Sequence, residues 1–156
     1  MKIGRTVTSI ALFLVMASSA YAAESKHESD AEEGRQRLAL FLGTTRDGGD
    51  SGFTVGLEYE YRVSQAIGVG GLIDRAGGDF DSTLLAGAFF FHFGHHWVAL
   101  LAPGMEFNED DELALRAGFA YEFKVAKRFN VAPAFNIDFI DGEERLVYGV
   151  NLGWTF

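Results

Sequence analysis

The chain has 156 residues, with 48% hydrophobic residues, 19 Gly, 15 Phe and no Cys. That length suits one folded domain, and the missing Cys excludes a disulfide framework, a Cys-ligated metal and a lipidated N-terminal Cys. The formal net charge of -9 falls to about -11 once residues 1–22, with Lys2 and Arg5, are removed; such a chain repels phosphate backbones, so nucleic acid is not an expected partner.

Residues 1–22 have the layout of a secretory signal peptide. Met1-Lys2-Ile3-Gly4-Arg5 is positive, Ile10–Ala17 is apolar, and Ala20-Tyr21-Ala22 supplies small residues at a cleavage site. The apolar run is too short for a helix spanning roughly 30 Å of hydrocarbon. Residues 23–36 are polar and charged and read as a periplasmic leader. From residue 37 to 156 the pattern has a period of two, as in strands whose side chains alternate between faces.

In chain order, the first apolar alternation is Leu38, Leu40, Leu42. Phe53, Val55, Leu57, Tyr59 and Tyr61 follow, interleaved with Thr54, Gly56, Glu58, Glu60 and Arg62. Ile67/Val69/Ile73 and Thr83/Leu85/Phe89/Phe91/Phe93 are less regular, and Val98/Leu100 near Trp97 is the least regular. Leu113, Leu115, Ala117, Phe119, Tyr121 and Phe123 alternate with Ala114, Arg116, Gly118, Ala120 and Glu122. Phe129 to Phe139 alternates with Asn130, Ala132, Ala134, Asn136 and Asp138, and Pro133 predicts a bulge or kink there. The last alternation is Tyr148, Val150, Leu152, Trp154, Phe156.

This makes about eight strands of the length that crosses a membrane. Eight strands enclose a space only just filled by side chains, so a rank of Phe, Tyr and Trp does not fit inside. The large face must point outward, into lipid, where only a closed barrel satisfies the backbone. The expected fold is therefore all-β: a closed antiparallel up-and-down transmembrane β-barrel. Its connections alternate between short neutral-to-basic turns (Ser64–Ala66, Gly94–His96, Ala126–Arg128) and acidic ones (Thr45–Gly52, Asp74–Ser82, Gly104–Glu112, Asp141–Arg145). With both termini in the periplasm, the acidic set faces the cell surface.

The C-terminal Tyr148-x-Val150-x-Leu152-x-Trp154-x-Phe156 resembles the β-signal of outer-membrane proteins. With the signal peptide and strand count, residues 37–156 resemble the small eight-stranded OmpA/OmpX/OmpW-type barrels. That resemblance implies the outer membrane as location, after signal-peptide-directed export. It implies outer-membrane lipid and lipopolysaccharide as surroundings, and the barrel-assembly machinery as a partner in biogenesis. It does not fix a function, because the architecture hosts anchors, adhesins, channels and enzymes.

Glu58, Glu60, Arg62, Arg116, Glu122, Lys124 and Asp138 fall on the inward face and predict an ion-paired plug, with Arg116 paired to Glu58 or Glu60. Glu109, Asp110, Asp111 and Glu112 are weak candidates for Ca²⁺ or Mg²⁺, lacking EF-hand spacing. His92, His95 and His96 do not share one strand face and read as a polar turn rather than a metal site. No nucleophile–base pair is in evidence, since Ser51 and Ser82 lie at the opposite end from the histidines, so neither enzyme activity nor a cofactor is expected. The leading expectation is a structural or surface-interaction role. The alternatives are a narrow channel or transporter for ions or small solutes and, third, a soluble periplasmic barrel holding a hydrophobic ligand.

Overall fold

A computed structural model describes residues 34–156; the signal-peptide reading, and all but the last three residues of the leader, lie outside the described residues. Nine strand segments follow one another: β1 (Gln36–Asp47), β2 (Asp50–Arg62), β3 (Ile67–Ala76), β4 (Ser82–Phe93), β5 (Trp97–Phe107), β6 (Asp111–Tyr121), β7 (Phe123–Ala126), β8 (Phe129–Ile140) and β9 (Glu143–Thr155). Consecutive strands pair antiparallel, except that β6 and β7 do not pair with each other. β9 returns to β1, and β8 pairs with both β6 and β7, which closes the ring. β6 and β7 are one barrel strand interrupted at Glu122, so the barrel has eight strands.

The interruption has a local cause. The β6–β8 ladder stops at Ala120↔Ala134 and resumes as β7–β8 at Phe123↔Val131 in the same register. Pro133 lies in the gap, and proline has no N–H to donate. The register shift itself lies between Lys124 and Ala126. Pro133 thus breaks a neighbour's ladder rather than bending its own strand, which pairs through Pro133↔Val150.

The facing argument holds. Leu57, Tyr59, Phe89, Leu115, Phe119 and Trp154 are among many large apolar residues exposed on the outer face. So are Tyr148, Val150 and Phe156, with Leu152 half-buried. The inner face carries Ala39, Ala86, Ala88, Ala102, Ala132 and Ala134, all buried. Covering such an outer belt requires lipid, and the closed ladder leaves no unpaired edge within it.

One strand was misjudged from sequence. In β5 the inward residues are Val98, Leu100 and Ala102, while Trp97, Leu101 and Met105 face out. Both faces of that strand are apolar, so alternation alone could not fix its parity. Phe41 and Phe90 also point inward and are fully buried; a barrel of this size accepts two phenyl rings where a glycine lies across one ladder from each. Phe41 faces Gly56 and Asn151 across its ladders, and Phe90 faces Gly68.

The surface connections are shorter than the sequence suggested. β1 and β2 extend to Asp47 and Asp50, leaving Gly48 (φ 55°) and Gly49 as the turn. β8 and β9 are joined by Asp141-Gly142, both at positive φ (48° and 84°), as a two-residue type I′ hairpin requires.

Candidate functional site: two ion-pair layers in the lumen

Inward carboxylates need partners, and the register decides which residues reach them. Along β2 and β3 the pairs Glu60↔Gly70, Glu58↔Leu72 and Gly56↔Asp74 set the heights. Glu60 and Glu58 belong to the end that carries the described N-terminal residues. Asp74 lies nearer the acidic turns. Leu72, buried, separates them on its strand.

In the upper layer, Arg116 holds two aspartates. Its Nε and Nη2 donate to Asp138 Oδ1 and Oδ2 at 2.6 and 2.7 Å, a bidentate fork. Its Nη1 donates to Asp74 Oδ2. Arg116 and Asp138 are direct cross-strand partners, and Asp74 arrives from the far side of the lumen. All three are at least 94% buried. The expected pairing of Arg116 with Glu58 or Glu60 is therefore corrected. The physical reason is height: Asp74 is in β3, not in a surface loop, and it points inward with the parity of Leu72. Gly56, directly opposite, makes room for it, since a Cβ there would overlap the Asp74 carboxylate.

Above this layer Arg145 Nη1 donates to Glu106 Oε1 at 2.6 Å, and Ser82 Oγ donates to Glu106 Oε2 at 3.1 Å. Asp47 lies 3.7 Å from Arg145 Nε. Phe80, from the β3–β4 connection, folds over the mouth with its ring centroid 5.4 Å from the Arg145 guanidinium. Asn108 Nδ2 donates to the Phe80 carbonyl at 3.3 Å and Ser51 N donates to Asp79 at 3.1 Å, which ties this cap to two neighbouring turns. Glu106 and Arg145, grouped by sequence with the exposed loops, thus belong to the lumen.

The lower layer is more diffuse. Arg37 lies 3.9, 4.0 and 3.4 Å from Glu58, Glu60 and Glu122. Asn151 Nδ2 donates to Glu58 at 3.1 Å, and Arg37 donates to Asn130 Oδ1 at 3.5 Å. Arg62 reaches Glu60 at 3.5 Å and Glu122 at 3.8 Å. His92 bonds to Glu60 Oε1 through Nε2 at 2.5 Å, while Arg62 Nη2 lies 3.1 Å from its Nδ1. A guanidinium can only donate, so Nδ1 must accept and the ring proton sits on Nε2, pointing at Glu60.

Glu58, Glu60, Arg62 and Glu122 thus lie together, while Arg116 and Asp138 form a separate layer. Lys124 sits exposed at the rim and has a partner there. Arg37, Asp74, His92, Asn130 and Asn151 were missed. Parity was the available signal: Arg37 alternates with Leu38 and Leu40, and Asp74 with Ile73. His95 and His96 remain in the β4–β5 turn, away from His92's partners. Glu109 and Asp110 are exposed in the β5–β6 turn, Asp111 and Glu112 begin β6, and the Glu109 N–H is taken by Asn108 Oδ1 at 2.7 Å. Among the described residues no three His, Asp or Glu side chains converge on a metal position.

Among the described residues, small cavities of about 20 and 10 Å³ lie in the lumen. One is lined by Arg37, Glu58, Phe90, Glu122 and Asn151, the other by Thr45, Asp74, Glu106, Arg116 and Arg145, with no residue in common. Each is the size of about one water.

No protein-family model matches the chain, and no curated protein matches it by sequence. Solved structures do. The crystal structure of Ail, the attachment invasion locus protein of Yersinia pestis, superposes with a TM-score of 0.57 at 16% identity, over 80% of this chain and 100% of that one. The N-terminal β-barrel domain of Pseudomonas aeruginosa OprF gives 0.54 at 11% identity, over 80% and 100%. Neisserial surface protein A gives 0.53 at 11%, over 78% and 96%. The chain therefore has the fold of the small eight-stranded outer-membrane barrels.

Proposed function

We propose that this chain is an integral outer-membrane protein with a structural or surface-interaction role, in which a plugged barrel holds a short acidic cap at the cell surface. The observation that carries this is the filled lumen: Arg116, bridging Asp74 and Asp138, crosses its width, and Arg37, Arg62 and His92 close the other half. A water-filled conduit would need those charges against the wall, solvated and apart. The outer belt supports lipid as the surrounding medium, with lipopolysaccharide in the outer leaflet. The outward Tyr148–Phe156 register supports recognition by the barrel-assembly machinery during insertion. Export by residues 1–22 belongs to the same reading. The lumen puts His92 beside Glu60, but Ser82 lies in the opposite layer beside Glu106, so no nucleophile–base pair supports catalysis.

Planar-bilayer recording of the folded protein tests the reading. No stable single-channel steps are expected. Reproducible steps that disappear on boiling would establish the narrow-channel alternative instead. Fractionation adds a second check: the protein should be in the outer-membrane fraction, with an unboiled band that migrates faster than the boiled one.

A further inference from the structure

At one part of the periplasmic rim a packed aromatic strip adjoins an exposed basic turn. On the outer surface where β4 to β8 meet, six rings form one packed strip. Phe93 stacks on Trp97 with centroids 6.5 Å apart; Trp97 meets Tyr121 edge-on at 4.9 Å and Phe119 at 6.1 Å. Tyr121 contacts Phe123 at 4.8 Å, and Phe119 contacts Phe135 at 5.9 Å. His96 packs on Tyr121 at 5.4 Å from the adjoining turn.

Immediately beyond this strip lies the β7–β8 turn, Lys127-Arg128, with both side chains exposed. Among the described residues neither has an ion-pair partner. Exposed His95 adds a third basic group on the other flank, and no exposed carboxylate side chain lies among these turns. The β2–β3 turn across the barrel, Val63-Ser64-Gln65-Ala66, carries no charge. The acidic side chains at this end, Glu60 and Glu122, point into the lumen and are held by Arg37 and Arg62.

Rings of this kind lie at the depth of the headgroup–acyl boundary, and Lys or Arg just outside them meets the phosphates. A guanidinium can take two phosphate oxygens at once, with an ammonium beside it as a point charge. We propose that the corner formed by Trp97, Tyr121 and Phe123 with Lys127 and Arg128 is a binding site for a phospholipid of the periplasmic leaflet with a net negative headgroup. The proposal rests on the membrane-barrel reading above and adds the lipid class and the place.

The chain has two tryptophans, Trp97 in this corner and Trp154 on β9. The test uses the protein with Trp154→Phe, folded into phosphatidylcholine vesicles containing brominated lipids that quench tryptophan on contact. Brominated phosphatidylglycerol should quench Trp97 at several-fold lower mole fraction than brominated phosphatidylcholine. Each basic residue near an anionic surface contributes roughly a five-fold preference, so Lys127→Gln or Arg128→Gln should lower the selectivity and the double variant should abolish it. Trp154 pairs with Phe129 beside the same turn, so the Trp97→Phe protein, reporting from Trp154, should show a selectivity that the double variant also removes. Equal quenching by both lipids, or selectivity that survives the double variant, would each overturn the site while leaving the barrel in the membrane. Absence of quenching by either lipid would overturn the membrane reading itself. A heat-shifted band for every variant confirms that each is folded when measured.

Discussion

The two lumenal layers solve one problem in different ways. The upper layer gives one cation to two aspartates through short, directional bonds, with Arg116 only 2% exposed. The lower layer shares two arginines and a neutral histidine among three glutamates, mostly at 3.4 to 4.0 Å, and Arg62 is 32% exposed at the rim. A centre with one cation fails when that cation is removed. A distributed centre loses one contact and keeps others, and water reaches its open end. Depth in the barrel and number of partners, not number of charges, should therefore set the cost of each substitution.

Arg116→Ala breaks the upper layer most severely, because it leaves Asp74 and Asp138 buried and uncompensated. The expected loss is about 3–5 kcal/mol, read by urea unfolding of the vesicle-embedded barrel. Replacing Arg116 with Met together with Asp74→Asn and Asp138→Asn should recover most of that loss, since well-packed neutral groups avoid the desolvation cost. If the single variant costs no more than a surface substitution, the comparison between layers collapses.

Gly56→Leu attacks the same layer through space rather than charge. A side chain there has to displace the Asp74 carboxylate, and overpacking of this kind costs about 1–3 kcal/mol. The same measurement reads it, and Gly49→Ala, in open space at the β1–β2 turn, is the control.

Arg37→Ala should cost less than Arg116→Ala, about 1–3 kcal/mol for groups left without a full set of partners, because Arg62 still serves Glu60 and Glu122. An equal or larger loss would show that the lower layer also depends on one residue. Arg62→Gln is the mildest, at roughly 1 kcal/mol or less for a partly exposed pair. Its sharper readout is the His92 ring: ¹⁵N spectra of the parent should show a proton on Nε2 and none on Nδ1. Loss of Arg62 should permit the other tautomer. A parent spectrum with the proton on Nδ1 would overturn the hydrogen-bond assignment.

Local alternation made much of this legible. Phe53 to Arg62, Leu113 to Glu122 and Tyr148 to Phe156 each carry large side chains on one face and small or polar ones on the other, and the strand period converts that directly into outside and inside. Where both faces are apolar, as at Trp97 to Ala102, the same rule has nothing to read. Strand ends were also obscured: acidic residues at Asp74 and Glu106 resemble a loop, although in the strands Arg116 and Arg145 reach them from across the barrel.

The sequence by itself determined the strand number, the closure, the outward greasy belt and part of the inward charged set, because these follow from a two-residue repeat and the hydrogen-bonding demands of lipid. Only the tertiary structure decided which charges meet. Asp74 and Arg116 are 42 residues apart, and Arg37 and Asn130 are 93 apart. Their meeting depends on strand register and on the stagger accumulated around the closed ring, and a shift of two residues in one ladder would keep every side chain on its face while giving each a different partner.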